Sequence, residues 1–264
     1  MMTATVATAE SLLLPTASLI EIFSAIQGEG LNVGTRQLFI RFGGCDLRCR
    51  YCDSPHTWHP QSDCRIEVTP GQRDFEVQPN PVSVSQLVEW VHQLWRSPLH
   101  DSISLTGGEP LLHQAFLAAF LPALNHRMPI YLETGGHHPA ALTTLATYVD
   151  LVGMDLKLPS VSGEMHWEAH AACLQICQDT NTEAFCKIIV SNATDPAELD
   201  QAAQLVAHIN PHIPVFLQPV TPISAKGEPT PPMPDQVLEW QARMKAVLAS
   251  VRVVPQTHKM MGQL

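Results

Sequence analysis

Basic residues are scarce in this chain: 15 Lys and Arg stand against 25 Asp and Glu in 264 residues, a formal charge of −10. That shortage excludes a broad nucleic-acid or anionic-membrane surface, because both need a cationic face. A small anionic substrate held by one or two basic side chains stays possible. Long apolar runs are also missing, since none approaches the roughly 18–20 residues that span a bilayer. The first nineteen residues hold no Lys or Arg and so lack the cationic start of a secretory or transit peptide. A cytoplasmic protein is expected, with residues 1–18 as a flexible Ala/Thr-rich arm. No internal repeat, low-complexity tract or domain boundary stands out, so residues 19–264 read as a single domain. Apolar residues, in contrast, reach 45% against 15% charged, enough for a sizeable core and too many for global disorder.

Short β-branched stretches alternate with longer amphipathic ones. Strands are expected at 19–23, 38–41, 102–106, 130–133, 151–155, 185–190, 215–218 and 252–254. Between them, Leu87, Val88, Val91, Leu94 and Trp95 make one helical face over 84–95, with Ser83 as its cap. Further helices are expected near 112–125, 139–147, 164–178, 195–209 and 233–250. Such alternation implies parallel strands joined by right-handed crossovers. About six units fall short of eight, so an α/β fold in the form of an open, partial (β/α) barrel is favoured, with a doubly wound sheet as the alternative. Either fold places ligands at the carboxyl ends of the strands, where the polar motifs RFGGC, TGGEP, ETGG, DLK and QPVTP fall. Residues 58–81 look like a loop insertion containing a small hairpin. Residues 219–234 hold six prolines, a stiff linker before the last helix.

Seven cysteines are an odd number, and three form the C-x3-C-x2-C run Cys45, Cys49 and Cys52. In a reducing compartment this points to metal or redox chemistry. Three thiolates can hold three irons of a [4Fe–4S] cube and leave the fourth open to an exogenous chelator. A zinc site completed by His56 or His59 is the other reading, although zinc loops more often use C-x2-C pairs. Gly43-Gly44 before the run lets the backbone turn closely, and Gly107-Gly108 in TGGEP lets the main chain approach a ligand.

C-x3-C-x2-C followed by GGEP resembles the radical S-adenosylmethionine (SAM) superfamily, which reduces SAM to a 5′-deoxyadenosyl radical. Within it, FSAIQGEG at 23–30, FIRFGGC at 39–45 and VPQTHK at 254–259 are similar to the 7-carboxy-7-deazaguanine synthase family. The resemblance covers about 19–57, 84–160 and 213–264. It implies a carbon–nitrogen lyase of 7-deazapurine (queuosine) synthesis, acting on 6-carboxy-5,6,7,8-tetrahydropterin. A hydrogen atom leaves C6, the ring contracts and ammonia departs. An external flavodoxin- or ferredoxin-like one-electron reductant and a homodimer are also implied.

Residue by residue, the resemblance makes Cys45, Cys49 and Cys52 the cluster ligands. Tyr51, Cys52, Asp53 and Gly108 would contact SAM, as would Glu133, Asp155, Lys157 and Gln218 at later strand ends. Ile26, Gln27, Gly28 and Glu29 supply the mixed donors and acceptors that a pterin edge needs. Arg41 would meet the substrate carboxylate through its planar fork, with a salt bridge at the barrel rim as the plainer reading, and Thr106 offers a hydroxyl. Ser54 would be the protein ligand of a Mg2+ ion. Cys173, Cys177 and Cys186 read as buried hydrophobes, Cys64 as incidental, and His258 as a neighbour of the site. The terminal carboxylate could close the pocket. A glycyl-radical-enzyme activase and a non-enzymatic Fe–S or zinc interaction module are the competing functions.

Overall fold

The computed structural model describes residues 15–124, 128–223 and 229–263. The chain opens with β1 (Thr16–Ala17), β2 (Leu19–Ile26) and β3 (Arg36–Phe42), then β4 (Asp63–Glu67), β5 (Phe75–Pro79) and β6 (Val82–Ser83). Six crossovers follow: α1 (Val84–Leu94) to β7 (Ser102–Gly107), α2 (Gln114–Phe120) to β8 (Ile130–Thr134), and α3 (Pro139–Leu145) to β9 (Leu151–Asp155). Next, a short α4 (Pro159–Ser162) and α5 (Trp167–Thr180) lead to β10 (Glu183–Val190), α6 (Pro196–Ile209) to β11 (Val215–Pro219), and α7 (Pro234–Lys245) to β12 (Val251–Val253), before α8 (Thr257–Met260).

One ten-stranded sheet runs in the order β12-β11-β10-β9-β8-β7-β3-β2-β4-β5. Strands β3 and β7 through β12 are parallel to their neighbours, while β2 lies antiparallel on β3. The terminal strands β12 and β5 do not pair with each other, so the barrel is open, as expected from six units. Parallel strands are covered on both faces and need near-continuous apolar runs. Ile103, Leu105, Val152, Met154, Ile188, Val215 and Leu217 supply them, each fully buried. Burying one such side chain contributes about 1.5–3 kcal/mol.

The helices follow local signals. Ser83 caps α1 in a capping box with Gln86, a device contributing about 1 kcal/mol. Asp195 caps α6, whose Leu199, Ala202, Ala203 and Val206 form the buried stripe. The helix expected over 112–125 is α-helical only through 114–120, because Pro122 forces a tighter turn over 121–123. The one expected over 164–178 starts later, at Trp167, and runs to Thr180, where Asn181 closes it in the left-handed region. The last long helix ends at Lys245 rather than near 250.

Two expectations need correction. Residues 1–14 lie outside the described residues, but Thr16 and Ala17 are not loose: they pair with Ser83 and Val82, and Ala17 is buried. The insertion at 58–81 does contain a hairpin, β4–β5, yet it is no detached loop. It extends the main sheet by pairing parallel to β2 through Glu21 and Ile22.

Candidate active site

A cavity of about 490 Å³ opens where the carboxyl ends of β3 and β7–β11 converge. Every residue singled out for cluster, SAM, substrate or magnesium lines it, from Ile26 to Gln218, and so do His56 and His258. The segment Ile26–Glu29 arrives differently. Ile26 pairs with Arg36 at the start of β3, so this wall comes from the opposite end of the strand whose carboxyl end leads to the cysteines.

Cys45, Cys49 and Cys52 are free, half-buried thiols facing the cavity. Their loop is anchored at several points. The Gly44 and Cys45 amides donate to the Thr57 and Trp58 carbonyls, and the Arg50 amide donates to that of Ser162. Burial pushes the Cys45 thiol up to about 11 and raises Cys49 as well, so these groups become thiolates when a metal displaces the proton. Opposite them, a Cβ on Gly108 would stand 2.1 Å from the Gly44 carbonyl oxygen and 3.1 Å from Cys45 Cβ. Only glycine lets these two loops meet. The buried Gln218 Oε1 finds no hydrogen-bond partner among the described residues, an acceptor left for a ligand. Three free thiols on one loop, a bare glycine rim and an unpaired buried amide fit a three-cysteine cluster with SAM beside it.

The other wall is a chain of charges and amides. Gln27 donates to Glu133 Oε1 at 2.7 Å, and Thr106 donates to Glu133 Oε2 at 2.8 Å. Lys187 bridges Glu29 and Asp155, the latter at 3.2 Å, and Lys157 bonds Asp155 at 2.8 Å while lying over the Tyr51 ring. Burial opposes ionisation of Glu29, but Lys187 outweighs it and holds that carboxyl below its ordinary range. Burial and the nearby Glu29 charge instead leave Glu133 raised. The two carboxyls are therefore driven apart in acidity, the arrangement that separates an acid from a base.

Arg41 is partly committed. Its Nε donates to Glu21 Oε1 at 2.8 Å, and Arg65 from β4 bonds the other Glu21 oxygen. The terminal nitrogens of Arg41 find no such partner among the described residues, so the rim salt bridge exists and still leaves two donor nitrogens. A further strap crosses the mouth. Gln256 Nε2 donates to Glu29 Oε1 at 2.7 Å and to Asp53 Oδ2 at 2.9 Å, and Lys259 bonds Asp53 at 2.6 Å. Desolvation opposes a charged Asp53, but Lys259, Gln256 and Ser54 keep its carboxyl well below the usual range. His258 packs where a Cβ on Gly28 would clash at 2.3 Å. Residue 264, whose carboxylate was expected to close the pocket, lies outside the described residues.

Sequence reasoning missed Lys187, Arg65, Glu109 and Gln256. Lys187 had a signal: it is the one charge within the apolar run FCKIIV. Glu109 was quoted only as part of GGEP. It is buried and accepts from Leu111 N, Thr134 Oγ1 and Gly135 N at 2.8–3.0 Å, tying the β7 loop to the end of β8. Cys64, Cys173, Cys177 and Cys186 are buried away from the cavity, and His59 is exposed and does not line it either.

A sequence profile of the radical SAM superfamily matches residues 39–189. Fold and site together define a radical SAM protein. A 7-carboxy-7-deazaguanine synthase of Geobacter sulfurreducens is 46% identical over 95% of this chain and 99% of its own. One from Archaeoglobus fulgidus is 34% identical, over 93% and 98%. The chain belongs to the 7-carboxy-7-deazaguanine synthase family. In fold it is similar to QueE from Escherichia coli, with a TM-score of 0.59, 18% identity and 95% and 99% of the two chains covered. It is also similar to a radical SAM methyltransferase from Sphaerobacter thermophilus, with a TM-score of 0.57, 16% identity and 84% and 66% covered.

Proposed function

We propose that the chain converts 6-carboxy-5,6,7,8-tetrahydropterin to 7-carboxy-7-deazaguanine with loss of ammonia. The observation that carries this reading is the shared cavity: the three cysteines, the Gly108 rim and the Ile26–Glu29 wall face one space. Cys45, Cys49 and Cys52 would hold the [4Fe–4S] cluster, leaving room beside it for SAM. When bound, cluster and cofactor supply a 5′-deoxyadenosyl radical. The protein's own part is to bind, orient and shield.

Gly108 offers main-chain groups to the methionyl end of SAM, and Tyr51, Asp53, Glu133, Asp155, Lys157 and Gln218 surround the rest. Gln27, Gly28 and Glu29 meet the pterin edge, and the free terminal nitrogens of Arg41 meet its carboxylate. Thr106, which spends its proton on Glu133, presents its lone pairs. Glu133, the carboxyl raised by burial, is placed to hold a proton. Ser54 donates to Asp53 Oδ1 at 3.2 Å and keeps its oxygen on the cavity, where it would be the protein ligand of a Mg2+ ion.

A flavodoxin- or ferredoxin-like protein delivers the electron. Free thiols and an iron–sulfur site suit the cytoplasm. No described helix is long and apolar enough to cross a membrane. The homodimer rests on the family resemblance and is measured by sedimentation velocity. The decisive experiment supplies SAM, reductant and the carboxylated pterin to anaerobically reconstituted protein. Formation of 7-carboxy-7-deazaguanine with ammonia is expected. SAM cleavage that yields 5′-deoxyadenosine but no deazapurine overturns the substrate assignment and favours an activase.

A further inference from the structure

Beside the cluster loop, outside the cavity chemistry just described, three potential metal donors converge. Asp46 follows Cys45 directly, and His137 and His138 follow the end of β8. Asp46 Oδ1 lies 2.9 Å from His137 Nε2, and Asp46 Oδ2 lies 3.0 Å from His138 Nε2. One ligand atom from each falls within 4.8 Å of the others. The His137 side chain is only 4% exposed, whereas Asp46 is 43% exposed, so the group is anchored inside and open at one side. His137 Nδ1 is buried without a hydrogen-bond partner among the described residues, and His138 Nε2, although 3.0 Å from Asp46 Oδ2, is not aligned to hydrogen-bond it. Beyond them stands His166, its ring centre 5.2 Å from that of His137 and its Nε2 3.5 Å from Glu164 Oε2. Two histidines crowding one carboxylate with poorly satisfied buried nitrogens are costly as a purely structural arrangement.

We propose that Asp46, His137 and His138 form a second metal site for a divalent ion of the zinc type, with water as the fourth donor. Imidazole nitrogens select such ions over Mg2+, which wants oxygen. Tetrahedral zinc puts a nitrogen and an oxygen ligand about 3.3 Å apart, so the present separations need to open by only a few tenths of an ångström. The carboxylate nearest His137 Nδ1 is Glu109, at 3.8 Å, on the side where a ligating histidine delivers its second N–H. An ion here clips the cluster loop to the loop after β8, two segments that otherwise meet through side-chain contacts alone.

The test uses tag-free, cluster-loaded protein with its full iron content, equilibrated with Zn2+ and assayed for both metals. One zinc per chain is expected without loss of iron, unaffected by excess Mg2+. His138→Ala and Asp46→Asn should each weaken zinc binding at least about 100-fold, while His212→Ala, at an exposed and separate histidine, should not. His138 lies off the cluster loop, so its variant separates zinc binding from cluster damage, with iron content as the control. Hydrogen exchange across residues 45–52 should slow when zinc is added and not in His138→Ala. Absence of bound zinc, equal zinc in all variants, or zinc gained only as iron is lost would each overturn the site.

Discussion

Two sets of three cysteines sit in this molecule, and they differ in almost everything except chemistry. Cys45, Cys49 and Cys52 lie on a hydrogen-bonded loop at the cavity, whereas Cys173, Cys177 and Cys186 are 0–2% exposed on α5 and β10. Thiol acidity hardly separates Cys45 from the buried pair Cys173 and Cys177, because burial raises the first to about 11 and the other two to about 12. Access separates them. A thiol sealed inside the core is a small hydrophobe; one of similar acidity facing a cavity is open to a metal.

The largest effect should come from exchanging cysteines between these roles. Cys45→Ala, Cys49→Ala and Cys52→Ala should each remove the cluster and all turnover, while Cys173→Ala, Cys177→Ala and Cys186→Ala keep both. Iron analysis checks this, and iron loss in the second set would break the comparison. Next in size is Lys187→Met, which leaves Glu29 and Asp155 without their shared cation. Breaking a buried pair costs about 3–5 kcal/mol, so thermal unfolding should move sharply lower while any protein that folds still loads iron.

A smaller change is expected for Arg41→Lys. It removes the fork proposed to meet the substrate carboxylate and should weaken apparent substrate affinity roughly 30-fold, about 2 kcal/mol. SAM cleavage without substrate should hardly change. Unfolding of the cluster loop in that variant would instead make Arg41 a support for Glu21 and Arg65. The finest contrast is in pH. Below its pKa of about 11, the thiolate fraction of Cys45 in cluster-free protein rises about tenfold per pH unit. Alkylation of Cys45 should climb accordingly between pH 7 and 9, with Cys186 unreactive throughout.

Much of this was legible in the residues. Six crossovers, the open barrel and the capped α1 follow from apolar period and turn residues, and all the singled-out site residues meet at one cavity. What escaped depends on partners distant in sequence. Nothing local in 58–81 says that β4 will extend the sheet beside β2 and carry Arg65 to Glu21, since an edge pairing is chosen by the sheet and not by the strand. Lys187 reads as a break in an apolar strand until Glu29 and Asp155 are known to face it. Pro122, by contrast, was visible and should have shortened the helix expected over 112–125.

The side-chain amide of Gln256 is shared between Glu29, on the wall proposed for the pterin, and Asp53, on the loop proposed for SAM. A single donor group held by both walls makes their occupancies thermodynamically dependent. Any factor by which substrate tightens SAM must equal the factor by which SAM tightens substrate. Cutting the tie with Gln256→Ala should therefore lower both factors together and by the same amount. The enzyme would then fill its two subsites independently, with SAM free to be cleaved when no pterin is present to receive the radical.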